Sequence, residues 1–420
     1  MSRVSRIACV AFIGFIIFCS ADCVAQSLAQ SQLTLRQAVD EALRSRALLK
    51  AEEEQVSIAE GLERQAGARP NPSLQFENQN LRPGQVYSVD VDTLAFLTQP
   101  LDVLGKRKQR VAVASETLDR THAEYDLARQ QLVQAVELAY WTARGAQETR
   151  NLLNEDVANF QRIVDYHSAQ LSQGAISEQD FLRVQLESER FAVEANLAAI
   201  EATRTRVQLF REMGQTTFPE ILLTETLDGG TPPAQPVSID QVLAQRLDVK
   251  AARASLDESE AKARLQEVAA RPDLSLIVGY KRTELVDTNA GTNTALAGLA
   301  LTLPIADRNN GNREAANAEV QRQQQLLAET EAGARADYYT AVSQYYLHRS
   351  EVVNTLQPLR EHGTAVVQIA QQAYVQGGTD LLRLLDAERA RLDAQVAWVR
   401  GMVEYQQSIV DLQAAEGAIQ

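Results

Sequence analysis

The sequence predicts a mostly α-helical fold with a transmembrane β portion, built from two copies of one unit. Three observations predict it. Similar segments recur in the same order about 200 residues apart. A stretch of 67 residues, Lys106 to Ser172, holds no proline and a single glycine, Gly145. Four short segments, two in each copy, read as strands of about ten residues, one of them clearly alternating apolar with polar positions.

The repeat is read first, because missing it would misread the whole chain. Leu33-Thr34-Leu35-Arg36-Gln37-Ala38 answers to Val237-Ser238-Ile239-Asp240-Gln241-Val242 at an offset of 204. Ala68-Arg69-Pro70-Asn71-Pro72-Ser73-Leu74 answers to Ala270-Arg271-Pro272-Asp273-Leu274-Ser275-Leu276 at 202, and Leu97-Thr98-Gln99-Pro100-Leu101 to Leu301-Thr302-Leu303-Pro304-Ile305 at 204. Gln173-Gly174 answers to Gln376-Gly377 at 203, and Asp180-Phe181-Leu182-Arg183 to Asp380-Leu381-Leu382-Arg383 at 200. Chance likeness between helices explains one such match, not five in order.

The N-terminus reads as an address. Arg3 and Arg6 precede an apolar run, Ile7 to Phe18, and small or polar residues follow to Ala25. That pattern is a signal peptide over 1–25, cleaved after Ala25; the run is short for a membrane span. Lipidation at Cys23 is the alternative, with Asp22 a poor residue before it. Cys9, Cys19 and Cys23 are the only cysteines, so removal of the leader excludes disulfides, Cys-ligated zinc and thiol catalysis. The formal net charge of −14 becomes −15. An acidic chain with 5% aromatic residues is a poor partner for phosphate and for stacked bases, so nucleic acid is excluded. No later run of 18 apolar residues occurs, which leaves a periplasmic, secreted or outer-membrane β-barrel protein.

Each half then reads alike. The first repeat spans 26–213. A helix from about 34 to 68, with Thr34 as N-cap, stops at Arg69-Pro70, since the residue before proline avoids helical dihedrals. Strands follow at about 73–82 and 86–99, turning at Arg82-Pro83-Gly84-Gln85. Tyr87, Val89, Val91, Thr93 and Ala95 alternate with Ser88, Asp90 and Asp92. A long helical hairpin occupies 106–213: at about 1.5 Å per residue the first arm is a rod of roughly 100 Å, which turns at Gly174 and returns from about 178. Residues 214–237, with Phe218-Pro219, Gly229-Gly230 and Pro232-Pro233, form a linker or equatorial insert. The second repeat, 238–420, has strands at about 273–284 and 294–303 and a hairpin over 312–417, turning at Gly377-Gly378. Pro358 is expected to kink or locally break its rod.

Four strands cannot close a barrel, and an open edge is forbidden in lipid. Two copies would give eight strands with a filled interior; three copies give a 12-strand barrel with a lumen and six helical hairpins beside one another. The alternative is a soluble periplasmic coiled-coil adaptor without a pore, its strands forming a small sheet.

The repeat, the Arg-Pro pairs at Arg69-Pro70 and Arg271-Pro272 where strands begin, the prolines Pro100 and Pro304 at strand ends, and the glycine-tipped hairpins resemble the outer-membrane factor family of TolC-like export channels. The likeness covers about residues 31 to 418. Gln99-Pro100-Leu101-Asp102-Val103-Leu104-Gly105-Lys106-Arg107 and Leu303-Pro304-Ile305-Ala306-Asp307-Arg308-Asn309-Asn310-Gly311-Asn312 are similar to segments of its heavy-metal branch, the CzcC-like proteins. The resemblance implies a homotrimer in outer-membrane lipid with an α-helical tunnel into the periplasm. It also implies a periplasmic adaptor (membrane-fusion protein) and an inner-membrane resistance–nodulation–division (RND) pump as partners. The cargo is then heavy-metal cations, with organic compounds as the other reading. No phosphate-binding loop occurs, so flow is driven by a partner.

The hairpin tips are the expected entrance, with adaptor contacts along Leu171 to Arg183 and Tyr374 to Asp386. The candidate residues are Gly174, Asp180, Gly377, Gly378, Asp380, Arg383 and Asp386. The resemblance carries an acidic entrance position onto Asp386; its companion is Arg383, a departure that argues against an acidic ring. An ion pair of Asp386 with Arg383, one helical turn apart, is the other reading of that pattern, and helix-start carboxylates the other reading of Asp180 and Asp380. No catalytic residue, cofactor or metal site is assigned. His348 and His362 are separated by Pro358, with no cysteine or paired histidine near either. Tyr338-Tyr339, Tyr345-Tyr346, Trp141 and Trp398 read as packing residues. Lys106-Arg107-Lys108 and Arg110 read as a basic helix start beside the barrel rim.

Overall fold

Two capping boxes set the same starting point in both halves. Thr34 and Ser238 each accept the backbone N–H of the residue three later, Gln37 and Gln241, whose side chains reach back to the cap. The reciprocal bonds satisfy amides that the first helical turn leaves free. The computed structural model describes residues 32–81, 83, 91–228, 237–283 and 291–418; the expected signal peptide, Cys23, most of the first strand turn and the sequence 84–90 lie outside them.

The elements run β1 (Gln32–Leu33), α1 (Leu35–Ser45), α2 (Ala47–Ala66), β2 (Ser73–Gln79), β3 (Asp92–Leu101), α3 (Lys106–Ser172), α4 (Glu178–Glu212) and β4 (Leu222–Leu223). The second half has α5 (Ile239–Gln245), α6 (Leu247–Ala269), β5 (Asp273–Thr283), β6 (Thr292–Thr302), α7 (Asn310–Glu351), a π-helical turn (Val352–Leu356), α8 (Gln357–Val375) and α9 (Leu381–Glu416).

The helix expected over 34–68 is two helices. The chain breaks at Arg46 (ψ 113°), and the second half breaks likewise at Arg246 (ψ 129°). The cause is the end of each returning helix. Gly214 and Gly417 close α4 and α9 with φ of 75° and 74°, and each lies in the notch. A Cβ on Gly214 would stand 3.0 Å from the Arg46 Cα, and one on Gly417 3.1 Å from the Gln245 carbonyl carbon. The two arginines then serve as fasteners. Arg46 donates to the Arg211 carbonyl and pairs with Glu212 at 3.3 Å. Arg246 pairs with Asp248 at 2.6 Å and Asp337 at 3.2 Å.

Strands β2, β3, β5 and β6 form one antiparallel sheet in the order β2-β3-β5-β6. β2 is shorter than the expected 73–82, ending where Asn80 takes a positive φ of 65°. β3 runs to Leu101, one residue beyond Pro100, and β6 begins at Thr292 and ends at Thr302, two residues before Pro304. Register places Leu74, Phe76, Leu97, Leu276, Val278 and Leu299 on one face. That face is bare: Phe76 is 72% exposed and Leu299 68%. The other face carries Gln75, Glu77, Ser275 and the Asp92–Lys281 pair at 2.8 Å. There Phe96 lies over Gly279, whose missing side chain makes the room. Neither β2 nor β6 has a partner on its outer side among the described residues.

α3 is one uninterrupted helix of 67 residues. Gly145 within it faces Val403 of α9 so closely that a Cβ would stand 2.3 Å from that side chain. The second rod differs. Its backbone stays helical past Pro358, but the turn Val352–Leu356 widens to π geometry and leaves the proline in the first turn of α8. Proline lacks an N–H and its ring clashes with the carbonyl four residues back; a π turn removes that carbonyl from the ladder. Tyr140, Trp141, Leu209 and Val399 lie in the large equatorial core, and Tyr338 and Tyr345 in a second core with Ile409 and Leu412. Tyr339 and Tyr346 face outward, and Trp398 is half-buried under the Arg360 guanidinium at 4.0 Å.

Gly214→Ala and Gly417→Ala should each destabilise the protein by roughly 1–2 kcal/mol, the cost of a left-handed backbone with a Cβ. Gly61→Ala, inside α2 with nothing within 4 Å of a new Cβ, should instead raise stability by up to about 1 kcal/mol. Denaturant unfolding of the three variants in detergent checks the contrast.

Candidate functional site

The two hairpin tips are built alike. At the first, Gly174 has φ 69° and the Gly174 and Ala175 amides close the end of α3 on the carbonyls of Leu171 and Gln170, each at 2.9 Å. Ser177 then caps α4 by accepting the Asp180 amide. At the second, Gly377 has φ 71°, and the amides of Gly377 and Gly378 return to Tyr374 and Ala373. Asp380 caps α9 by accepting the Arg383 amide at 3.0 Å. Asp380 is therefore an N-cap. Asp180 sits in the first turn of α4, also bonded to the Ser177 hydroxyl at 2.7 Å.

Asp386 is exposed one turn further along α9 and makes no ion pair with Arg383 among the described residues. It faces instead a groove between α4 and α9 that Arg183, Leu186, Glu187, Leu382 and Arg389 also line. Glu187 and Arg389 close one side of it with an ion pair at 2.5 Å. Leu182, Leu186 and Leu382 lie exposed beside these charges. The tip surface thus offers exposed leucines edged by both signs of charge.

Three buried contacts hold the two tips together, and sequence reading found none of them. A small core joins Leu153, Phe160, Phe191, Ala195, Leu385 and Leu392, from α3, α4 and α9. Below it the Arg391 guanidinium bonds Asp156 at 2.5 Å and Glu388 at 3.2 Å. Burial pushes the Asp156 carboxyl up, against the pull of Arg391. Nearer the tips His167, 1% exposed, meets the Tyr374 hydroxyl at 2.8 Å. Its Nδ1 is 2.8 Å from the Ile163 carbonyl, which only accepts. In the neutral ring Nδ1 therefore carries the proton and Nε2 accepts from the Tyr374 hydroxyl. Burial raises the Tyr374 phenol, and Tyr166 and Asp180 add to the rise. The one available signal was a tyrosine three residues before a glycine turn, opposite a histidine seven residues before the other.

The residues flanking the strands also sort themselves. Arg271 donates to the Leu104 carbonyl at 2.8 Å and so ties β5 to the start of α3. Lys106 pairs with Asp273 at 2.7 Å, Arg107 donates twice to the Gly67 carbonyl, and Arg110 pairs with Asp102. Three residues of the basic helix start are thus held by protein partners, and Lys108 is exposed. Pro70 accepts from Gln99 at 2.9 Å, Pro272 lies one residue before β5, and Arg69, the counterpart of Arg271, is exposed with no such bond among the described residues.

The family model described as outer membrane efflux protein matches residues 25–215 and 238–418. The cobalt-zinc-cadmium resistance protein CzcC of Cupriavidus metallidurans is 25% identical over 371 residues, which are 88% of this chain and 87% of that protein. Two solved structures share the fold. A membrane protein from Pseudomonas aeruginosa has a TM-score of 0.76 at 22% identity, over 91% of this chain and 92% of that one. The Campylobacter jejuni CmeC outer membrane channel has a TM-score of 0.74 at 20% identity, over 92% of this chain and 86% of that one.

Arg391→Met should strip Asp156 of its counter-charge and cost about 3–5 kcal/mol at neutral pH. Without Arg391 the carboxyl rises further above its ordinary 3.8, so the folded state holds a proton that the unfolded state releases. The deficit should therefore be largest at about pH 8 and shrink as pH falls toward about 4. Unfolding curves across that range test the sign. Tyr374→Phe leaves the buried His167 nitrogen without its donor, and should cost about 1–3 kcal/mol and speed hydrogen exchange in α3 and α8 next to the tips.

Proposed function

Since the chain belongs to the outer membrane efflux protein family, we propose that it is the outer-membrane export channel of a tripartite system that expels heavy-metal cations. It is a homotrimer in outer-membrane lipid with its hairpins extending into the periplasm. Its partners are a periplasmic adaptor (membrane-fusion protein) and an inner-membrane RND pump.

The observation that carries this reading is the open sheet. Its bare apolar face suits lipid, and its polar face suits a water-filled lumen. Its unpaired outer strands need neighbours, because an unsatisfied edge is not tolerated in hydrocarbon. A pore-free adaptor would have no use for either feature. The internal repeat indicates how copies join. The β3–β5 pairing occurs between the two halves of one chain, with Thr98 opposite Ile277. The repeat offsets of 204 and 202 carry that pair onto Thr302 and Gln75, which makes β6 of one copy the neighbour of β2 of the next. Arg69 then stands to the preceding copy's β6–α7 turn as Arg271 stands to Leu104.

The sequence holds no nucleotide-binding loop, so the channel is a passive conduit and the pump supplies the energy. The hairpin tips, with exposed Leu182, Leu186 and Leu382, receive the adaptor. Gly174, Gly377 and Gly378 shape those tips, and Asp386 lies on the entrance side with Arg183 and Arg389. The cargo assignment rests on the likeness to CzcC, a cobalt-zinc-cadmium resistance protein.

Two measurements test the proposal. Cysteines placed at Gln75 and Thr302, in a mature chain free of other thiols, should cross-link copies into a ladder that ends at three. Cysteines at Gln75 and Leu301, on opposite faces, should not, because a one-residue slip reverses every side chain. Deleting the gene should sensitise cells to divalent heavy-metal cations more than to organic toxicants. The reverse order would transfer the channel to organic cargo, and a water-soluble monomer in the periplasm would remove the channel altogether.

A further inference from the structure

One cluster of metal-ligating side chains lies away from both the tips and the sheet. His348 and Glu351 stand one turn apart at the end of α7, and Glu404 approaches from α9. The His348 Nδ1 is 3.7 Å from a Glu351 carboxylate oxygen and 3.9 Å from a Glu404 oxygen. All three ligand atoms fall within 4.8 Å of one another. These spacings are too long for hydrogen bonds, and the His348 Nδ1 is shielded from solvent without any hydrogen-bond partner. A ring nitrogen that has lost water and gained no protein partner is costly, unless something else bonds to it.

We propose that His348, Glu351 and Glu404 form a binding site for a divalent transition-metal ion of the zinc, cobalt or nickel kind. One imidazole nitrogen with two carboxylate oxygens is a donor set those ions accept, with a fourth position left for water. Calcium and magnesium prefer all-oxygen sites. Bond lengths of about 2.0–2.2 Å place neighbouring ligands of a tetrahedral ion roughly 3.4 Å apart. The triad therefore needs only a modest contraction, and it has the freedom to make it: the carboxylate side chains are 51% and 38% exposed, and that of His348 is 29% exposed. Arg400 also touches Glu404, at 3.2 Å, but it is 81% exposed, and such surface pairs hold weakly.

The backbone gives the site a consequence. Glu351 immediately precedes the π turn, where the second rod departs from α geometry, and π turns recur at functional sites. An ion held by two residues of α7 and one of α9 would tie the helices together at that turn. Neighbouring Tyr345 and Tyr405, stacked at 5.8 Å between the same helices, already align them. This site is independent of what the channel exports, since it requires only these three side chains.

The test titrates the full-length protein in detergent with Co2+, followed by visible absorption, and with Zn2+, followed by calorimetry. The expected result is one ion per chain and a thermal midpoint raised by Zn2+. His348→Ala and Glu404→Gln should each weaken binding by more than roughly tenfold, a lower bound set by the loss of outer-sphere partners alone, and should abolish the thermal shift. His362→Ala should change neither. Glu404→Gln keeps shape and volume, so it decides the matter if His348→Ala disturbs folding. Equal affinity and stoichiometry in the triad variants and the parent, or no ion bound by the parent at millimolar Zn2+, would overturn the site. Conductance of the parent protein reads the channel proposal separately.

Discussion

Strand edges govern this molecule more than any single contact does. Every backbone N–H and C=O in hydrocarbon needs a partner within the protein, because lipid offers none. A sheet of four strands satisfies its three inner ladders and leaves two outer rows open. The chain contains no further strand for them among the described residues, apart from the two-residue β1 and β4, which pair with each other at the equator. In the proposed trimer closure comes from other copies, and the placement of the long helices follows from it. Each strand pair is continuous with a hairpin, so bringing sheets edge to edge brings hairpins side to side. Arg69 is bare while Arg271 is tied down, an asymmetry that fits the proposed assembly, in which half of the repeat's contacts lie within a chain and half across a boundary.

The two halves keep their fasteners more faithfully than their sequences. Arg46 and Arg246 interrupt equivalent helices, and Gly214 and Gly417 fill the notches with equivalent left-handed caps. The acidic partners have changed: beside one backbone carbonyl each, Glu212 serves Arg46 and two aspartates serve Arg246. Geometry is retained because a Cβ at either glycine would collide with backbone, which cannot give way. Charge partners are free to drift because long arginine side chains reach several acceptors. The rods diverge further. Without proline, α3 keeps one ladder for 67 residues; Pro358 obliges its counterpart to widen at Val352–Leu356. Gly401 receives Leu356 there: a Cβ at this position would displace the Leu356 methyl group.

What the sequence discloses depends on how local the cause is. The absence of proline from 106 to 172 fixes a rod, and a glycine followed by a serine or aspartate cap fixes each tip, since propensity and capping act within a few residues. Strand starts at about 73, 86, 273 and 294 follow from Arg-Pro stops and apolar patterning; the described strands begin at Ser73, Asp92, Asp273 and Thr292. The break at Arg46 was illegible because nothing near it is a poor helix former; its cause is Gly214, far along the chain. The same holds at the tips. His167 and Tyr374 are marked in sequence only by their distances from the two glycine turns, and His348 and Glu404 carry no mark of each other. Pro358 was read correctly as a disturbance, but the widened turn that absorbs it depends on room supplied by α9.

The choice of buried polar contacts near the tips has a physical logic of its own. Two helices joined only by leucines and alanines can shift along their axes at small cost, because one apolar surface serves nearly as well as another. An ion pair such as Arg391–Asp156 cannot shift, since moving either partner leaves a charge buried and alone. The His167–Tyr374 bond is equally intolerant of displacement, since the Nε2 of a buried ring faces one hydroxyl. Such contacts add little net stability against the cost of burying them, and Asp156, held above its usual carboxylate range, shows that cost directly. They sharpen geometry instead. A rod some 100 Å long carries any slip at one end to the other as a mismatch. Fixing the axial position of α9 against α3 therefore lets the strands at the far end keep the register on which edge pairing depends.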